Sequence, residues 1–223
     1  MREKRSDRAR LSQTGREEKS AISVSKHRSS NVSASAPRQV RIIGGAWKRT
    51  PLPVANANGL RPTPDRVRET LFNWLAHLMP ELEAVRGLDL FAGTGALGFE
   101  LASRGARHVT LVEQNPALLA QLARVKQKLA ATQVELLPGD ALATARRWPD
   151  ASFDLVFLDP PFDAPLLAPA LAEAARLTPA GGFIYAESGA ALHAAPLAAL
   201  GLEIVRSGRA GRVFFHLLRR ATQ

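Results

Sequence analysis

The sequence predicts an α/β fold, a mostly parallel sheet with helices on both faces, preceded by a basic N-terminal extension. Three observations predict it. From residue 86 onward strand-like and helix-like runs alternate, which implies parallel strands joined by crossover helices. A G-x-G-x-x-G spacing (Gly93, Gly95, Gly98) falls between the first of those strands and its helix, where close backbone approach to a ligand is useful. The charge is also lopsided. The net +10 sits entirely in residues 1–74, with 16 Lys and Arg against 6 Asp and Glu, whereas residues 75–223 hold 14 of each.

Residues 1–38 are rich in Ser, Arg and Lys with little to bury, so they read as a disordered basic tail. Residues 39–60 read as a hairpin-like segment: QVRIIGGAWKRTPLPV is a short β-like run, a Gly-Gly break, then Trp47 beside Lys48 and Arg49. An aromatic among cations can stack on a base while the cations take phosphates. Packing of Trp47 in a small hairpin against the core is an equal reading. Arg41, Arg61 and Arg66 complete the set of candidate RNA-binding residues, and the segment suits a polyanion through counterion release. A solvated tail that aids solubility is the alternative.

Residues 61–223 make up the α/β domain. In RPTPDRVRETLFNWLAHLM (61–79), Thr63 is the expected N-cap and Pro64 the first helical residue. Val67, Leu71, Trp74, Leu75 and Leu78 form one apolar stripe, and Pro80 ends it. Then come strands at 87–91, 108–113, 133–137, 153–158 and 181–187. Their helices run to Arg104, from Asn115-Pro116 to Leu129, from Asp140, over 164–177, and through an Ala/Leu stretch. Two final strands, 202–206 and 212–218, are joined by Ser-Gly-Arg-Ala-Gly as an antiparallel pair.

Composition excludes several classes. With no cysteine, disulfides, thiolate zinc sites and a cysteine nucleophile are out. The five histidines are scattered without ligand spacing, so no metal is expected. The sequence has no apolar run of about 18 residues and no secretory h-region. No membrane partner is expected, and the cytoplasm is the expected location.

Acids at strand ends carry the chemistry. Asp89 beside the Gly-rich loop repels a pyrophosphate but attracts a cation. Glu113, ending the second strand, stands where an acid grips ribose hydroxyls. Asp140, in Pro-Gly-Asp-Ala after the third, can accept from an adenine amine, or can simply cap a helix. A nucleoside carrying positive charge fits all three, and S-adenosylmethionine fits better than NAD does. Ala92, Thr94, Gln114 and Ala141 neighbour these groups and are counted with them as cofactor-binding candidates.

At the fourth strand's end stands Asp159-Pro160-Pro161-Phe162. An ionised Asp159 only accepts, and the Pro160 carbonyl points outward from a stiff backbone. Together they can hold both hydrogens of an exocyclic amine while Phe162 stacks on its ring. A rigid turn without chemistry is the plain alternative.

DLFAGTGALGFE, LVE and LDPPF, in this order, resemble the class I S-adenosylmethionine-dependent methyltransferases of the amino-group type. With RIIGGAWKRTPLPV and GLRPTPDRVRETLFNWL added, residues 40–220 resemble the RsmD-type 16S ribosomal RNA guanine-N2 methyltransferases. The resemblance implies a Rossmann-like seven-stranded sheet of order 3-2-1-4-5-7-6 with the last strand antiparallel. It implies S-adenosyl-L-methionine as cofactor, S-adenosyl-L-homocysteine as product and no metal. The implied target is guanine 966 of 16S rRNA in the standard ribosomal numbering, within a 30S subunit or assembly intermediate, and the expected state is a monomer. It also puts Asp159, Pro160, Pro161 and Phe162 on the target base. The chain departs from the family after Trp47, where Lys48-Arg49-Thr50 replaces the usual Arg-Gly-Arg. An adenine-N6 DNA or protein-glutamine methyltransferase, or a non-catalytic rRNA-binding assembly factor, are the competing readings.

Overall fold

The computed structural model describes residues 39–54 and 63–222. The tail 1–38 and Arg61 lie outside the described residues. Strands β1 (Gln39–Arg41) and β2 (Pro51–Pro53) pair antiparallel as a small hairpin. Helix α1 (Asp65–Leu78) follows, then β3 (Arg86–Asp89), α2 (Ala96–Ser103), β4 (His108–Glu113), α3 (Pro116–Lys128), β5 (Val134–Pro138) and α4 (Ala141–Ala145). The chain continues through β6 (Leu155–Leu158), α5 (Leu167–Leu177), β7 (Phe183–Ser188), α6 (Ala194–Ala199), β8 (Leu202–Ala210) and β9 (Val213–Arg220).

The main sheet runs β5-β4-β3-β6-β7-β9-β8. Counted within that sheet, this is the expected 3-2-1-4-5-7-6. β3 to β7 are parallel, and β9 pairs antiparallel with both neighbours. Period-two alternation assigns each strand's residues to two faces. Leu155, Phe157, Phe183 and Tyr185 pack under α1, α2 and α3. Val156, Leu158, Ile184 and Ala186 pack under α4, α5 and α6.

Two local expectations change. Helix α1 starts at Asp65 with Pro64 at its N-cap and no side-chain cap bond. Thr63 is drawn away by buried acids, described below, and its hydroxyl is more valuable there than on a helix N–H. At the other end of the chain Ser207–Ala210 of the expected connection are absorbed into β8, leaving Gly211 and Arg212 as a two-residue turn and a bulge between Ile204 and Arg206. Gly208 permits this because the Phe215 ring lies where a side chain would stand.

A buried ion pair ties the N-terminal hairpin to the sheet. Glu100 on α2 accepts from the Ile43 and Gly44 amides at 2.6 and 2.8 Å. It also faces Arg68 Nη1 at 3.4 Å and Arg104 Nε at 2.8 Å. Ser103 completes the dock, donating to the Gly44 carbonyl and accepting from the Trp47 amide. Among the described residues no helix is long and apolar enough to cross a membrane.

Candidate active site at the carboxyl ends of the strands

The parity that faces Phe157 and Tyr185 toward α1 also faces Asp159 and Glu187 that way, two residues further on. Asp89, Glu113, Asp159 and Glu187 therefore line one edge of the sheet, on its α1–α2–α3 side. Parallel sheets place ligands at this edge because helix N-termini and strand ends converge there.

Asp89 is 2% exposed. Its Oδ2 accepts from the Gly98 amide at 3.2 Å, while its Oδ1 is buried and without a donor. Burial pushes its carboxyl up to about 7, against the lowering effect of the Gly98 and Phe91 amides. Gly98 is needed for this approach, since a Cβ there would stand 2.7 Å from Leu111 Cδ1. Gly93 and Gly95 turn the loop with φ of 52° and 76°, conformations that suit glycine. Glu113 holds the loop in place, accepting from the Gly93 amide at 2.9 Å and the Asn115 amide at 2.8 Å. Ala92 and Thr94 are buried in the same loop, and Gln114 is exposed beside it.

Asp140 caps α4, accepting from the Ala143 amide at 2.8 Å, and Ala141 opens that helix. The capping alternative is thus the observed local geometry for Asp140. An orphaned carboxylate oxygen beside a side-chain-free loop fits a cationic nucleoside better than a pyrophosphate. Asp89, Gly93, Gly95 and Glu113 therefore suit S-adenosylmethionine. Among the described residues no cluster of His, Asp and Glu could hold a metal ion.

In the turn after β6, Asp159 is partly buried, Pro160 buried and Pro161 exposed. Phe162 is 50% exposed, and it is the one exposed large apolar side chain among the described residues. The sequence reading takes Asp159 as ionised, but the structure puts pressure against that. Burial first, then the charges of Glu187 and Asp89, push its carboxyl well above the usual range, while Thr63 opposes.

Glu187, Thr63 and Tyr185 escaped the sequence reading. Thr63 Oγ1 lies 2.8 Å from Glu187 Oε1 and 3.3 Å from Asp159 Oδ2. The Tyr185 hydroxyl donates to the same Glu187 oxygen at 2.8 Å. Burial raises Glu187 as well, and the two hydroxyls resist the rise. The signal was available: Glu187 ends the fifth strand as Asp89, Glu113 and Asp159 end or follow theirs.

The candidate RNA-binding residues separate. Arg41 Nε meets Asp65 Oδ2 at 2.9 Å, two residues from Thr63, and exposed Arg66 follows on α1. Lys48 and Arg49 are exposed in the hairpin turn bonded to Ser103. That turn lies at the far end of α2 from the Gly-rich loop, about 12 Å of helix away. Trp47 is half-buried and packs against the core, the hairpin-packing alternative. Arg49 takes a φ of 71°, a left-handed conformation that suits glycine better.

Two cavities lie apart from these acids. One of about 730 Å³ is lined by Arg176, Thr178 and Arg220. One of about 350 Å³ lies between α5 and α6.

Residues 40–219 match the family model described as conserved hypothetical protein 95. The Haemophilus influenzae protein named ribosomal RNA small subunit methyltransferase D is 46% identical over 130 residues, 57% of this chain and 66% of that one. Its namesake from Escherichia coli K12 is 44% identical over 129 residues, 58% of this chain and 63% of that one. The matched stretch thus spans a little under two thirds of either relative. A solved Escherichia coli structure, described provisionally as a methyltransferase, superposes with a TM-score of 0.71 at 35% identity. It covers 83% of this chain and 99% of its own. With the family model matched from the hairpin to the last strand, and the sheet order and loop in place, the chain belongs to the conserved hypothetical protein 95 family of RsmD-type methyltransferases.

Proposed function

We propose that the protein methylates the exocyclic N2 amine of a guanine in small-subunit ribosomal RNA, guanine 966 in the standard ribosomal numbering. One observation carries the reading. A carboxylate, Asp159, and a half-exposed aromatic ring, Phe162, flank a rigid double proline beside a loop suited to a cationic nucleoside. When bound, S-adenosylmethionine supplies an electrophilic methyl carbon on a sulfonium. Asp89, with its spare buried oxygen, holds cationic or donor groups of the cofactor, while Glu113 sets the loop. Asp159 and the Pro160 carbonyl orient the amine's hydrogens so that its lone pair points at the donor side, and Phe162 stacks on the base. Positioning of this kind supplies roughly 7–11 kcal/mol of a barrier. Basic groups such as Arg41 and Arg66 take phosphate, which favours RNA over a protein glutamine. On this reading the working context is a 30S subunit or an assembly intermediate in the cytoplasm, with the enzyme acting as a monomer.

The test is transfer of a labelled methyl group to small-subunit particles and to free 16S rRNA, followed by nucleoside analysis. N2-methylguanosine is the expected product, and N6-methyladenosine would transfer the reading to an adenine-directed enzyme. Asp159→Ala is expected to keep cofactor affinity and lose transfer. Equal turnover by this variant and the wild type would defeat the clamp, and no transfer by the wild type would defeat the whole reading.

A further inference from the structure

Thr63 has one hydroxyl hydrogen, yet its oxygen stands within hydrogen-bonding distance of two acids, buried Glu187 at 2.8 Å and partly buried Asp159 at 3.3 Å. One hydrogen cannot serve two carboxylates well. With both acids ionised, one of the two contacts becomes oxygen against oxygen with no proton between. A single proton on the pair resolves it, because the neutral acid then donates to Thr63 while Thr63 donates to the other. Glu187 is the natural anion in the free protein. Its Oε1 takes two hydroxyl donors, Thr63 and Tyr185, whereas among the described residues Asp159 meets only Thr63.

We propose that Glu187 stores the proton that Asp159 must give up, receiving it through the Thr63 hydroxyl when the target amine arrives. The inference rests on the methyl-transfer reading above and concerns only how Asp159 becomes an acceptor. Asp159 passes its proton to Thr63 Oγ1 as Thr63 passes its own to Glu187. That leaves Asp159 ionised and facing the amine, Glu187 neutral and the charge of the pair unchanged. The amine lone pair then forms the new N–C bond as the C–S bond breaks, with that electron pair remaining on sulfur. The proton lost by the alkylated nitrogen goes to Asp159 and leaves to solvent on product release.

Burial raises both acids, and the charges of Glu187 and Asp89 raise Asp159 further, which favours one proton shared by the pair. Among the described residues, the ionisable or polar groups facing the pair are Thr63 ahead of α1, Tyr185 on β7 and Asp89 on β3. Glu187 acts through Asp159 and is a positioning residue.

Three variants decide the matter: Glu187→Gln, Thr63→Val and Thr63→Ser. Single-turnover methyl transfer to small-subunit particles is followed against pH, with cofactor affinity measured by calorimetry. Glu187→Gln and Thr63→Val should lower the transfer rate roughly 10²-fold with cofactor affinity within twofold, and Thr63→Ser should restore most of it. In Glu187→Gln the proton on Asp159 can leave only to solvent. Since burial alone still raises Asp159, its rate should climb with pH through a range where the wild type is flat.

An independent readout is the infrared band of a neutral carboxylic acid in the ligand-free wild type at neutral pH. That band should lose intensity in Asp159→Asn. Wild-type rate and a flat profile in Glu187→Gln overturn the relay, as do equal rates for Thr63→Val and Thr63→Ser, or an unchanged infrared band in Asp159→Asn. Should Glu187→Gln fail to fold, the two Thr63 variants decide. A wild type without transfer defeats the functional reading itself and is seen before any variant is compared.

Discussion

Arg68 and Glu100 meet at 3.4 Å with neither side chain exposed. Around them converge the hairpin, α1 and α2, because Arg68 Nη2 also donates to the Arg41 carbonyl at 2.8 Å and bonds Asp65 at 2.6 Å. The pair joins the N-terminal segment to the helix that opens at the Gly-rich loop. Burial lowers the Arg68 guanidinium from its ordinary value, and Asp65 and Glu100 hold it up.

Removing Glu100 leaves buried Arg68 with Asp65 as its remaining carboxylate among the described residues and strips the Ile43 and Gly44 amides of their acceptor. Glu100→Ala should therefore destabilise the protein by about 3–5 kcal/mol, read as a lower urea midpoint. Glu100→Gln keeps acceptor geometry for the Ile43 and Gly44 amides and should cost less. Equal midpoints for wild type and Glu100→Ala would show that the pair does not hold the hairpin.

Gly45 is the hinge of the same dock. It has a φ of 76°, and a Cβ there would overlap the Ser103 carbonyl, whose oxygen accepts from the Ala46 amide at 2.7 Å. Gly45→Ala should cost about 2 kcal/mol or more. Amide exchange should rise across residues 42–50 while the amides of β3 and β6 remain protected. Unchanged exchange in the turn would contradict the close approach.

Asp89 makes stability and cofactor affinity depend on pH in opposite senses. Its folded-state carboxyl is near 7 against an ordinary 3.8, so the native state holds more protons than the unfolded chain in that window. Stability should fall as pH rises through it. Asp89→Asn should accordingly be more stable than the wild type at pH 8, by about 2–4 kcal/mol, with the gap closing at acid pH. On the proposed reading, affinity for S-adenosylmethionine should strengthen as pH rises through about 7 in the wild type and be flatter in Asp89→Asn. Parallel stability curves for the two proteins would remove the buried charge from the account.

The candidate RNA-binding cations among the described residues fall into two groups that RNA binding can separate. Arg41 and Arg66 lie beside the candidate site, Lys48 and Arg49 at the far end of α2. Neutralising each pair should weaken binding to an rRNA fragment and lower the salt slope by about one per lost phosphate contact. A slope unchanged by Lys48→Ala with Arg49→Ala would exclude the hairpin turn from the interface.

Much of this was legible in sequence. β–α alternation, the Asn115-Pro116 start of α3 and the spacing of Gly93, Gly95 and Gly98 are local patterns, read within a few residues. Asp89, Glu113 and Asp159 were legible too, since an acid just after an apolar run is visible without coordinates. Thr63 was misread because its residue type and neighbours spell a helix cap. Nothing within ten residues announces that two acids 96 and 124 positions away compete for its hydroxyl. Arg68 and Glu100 were passed over for a similar reason, as charged residues on helices ordinarily face water.

The order of elements, the Gly-rich loop and the Asp159-Pro160-Pro161-Phe162 turn are written in local sequence, because periodicity, glycine and proline act over short spans of chain. Which ionisable groups are shut away from water, and which of them reach the same hydroxyl, emerges from the packing of the strands against their helices. Desolvation and proton sharing depend on distances between strands, and those are set when the sheet closes under its helices.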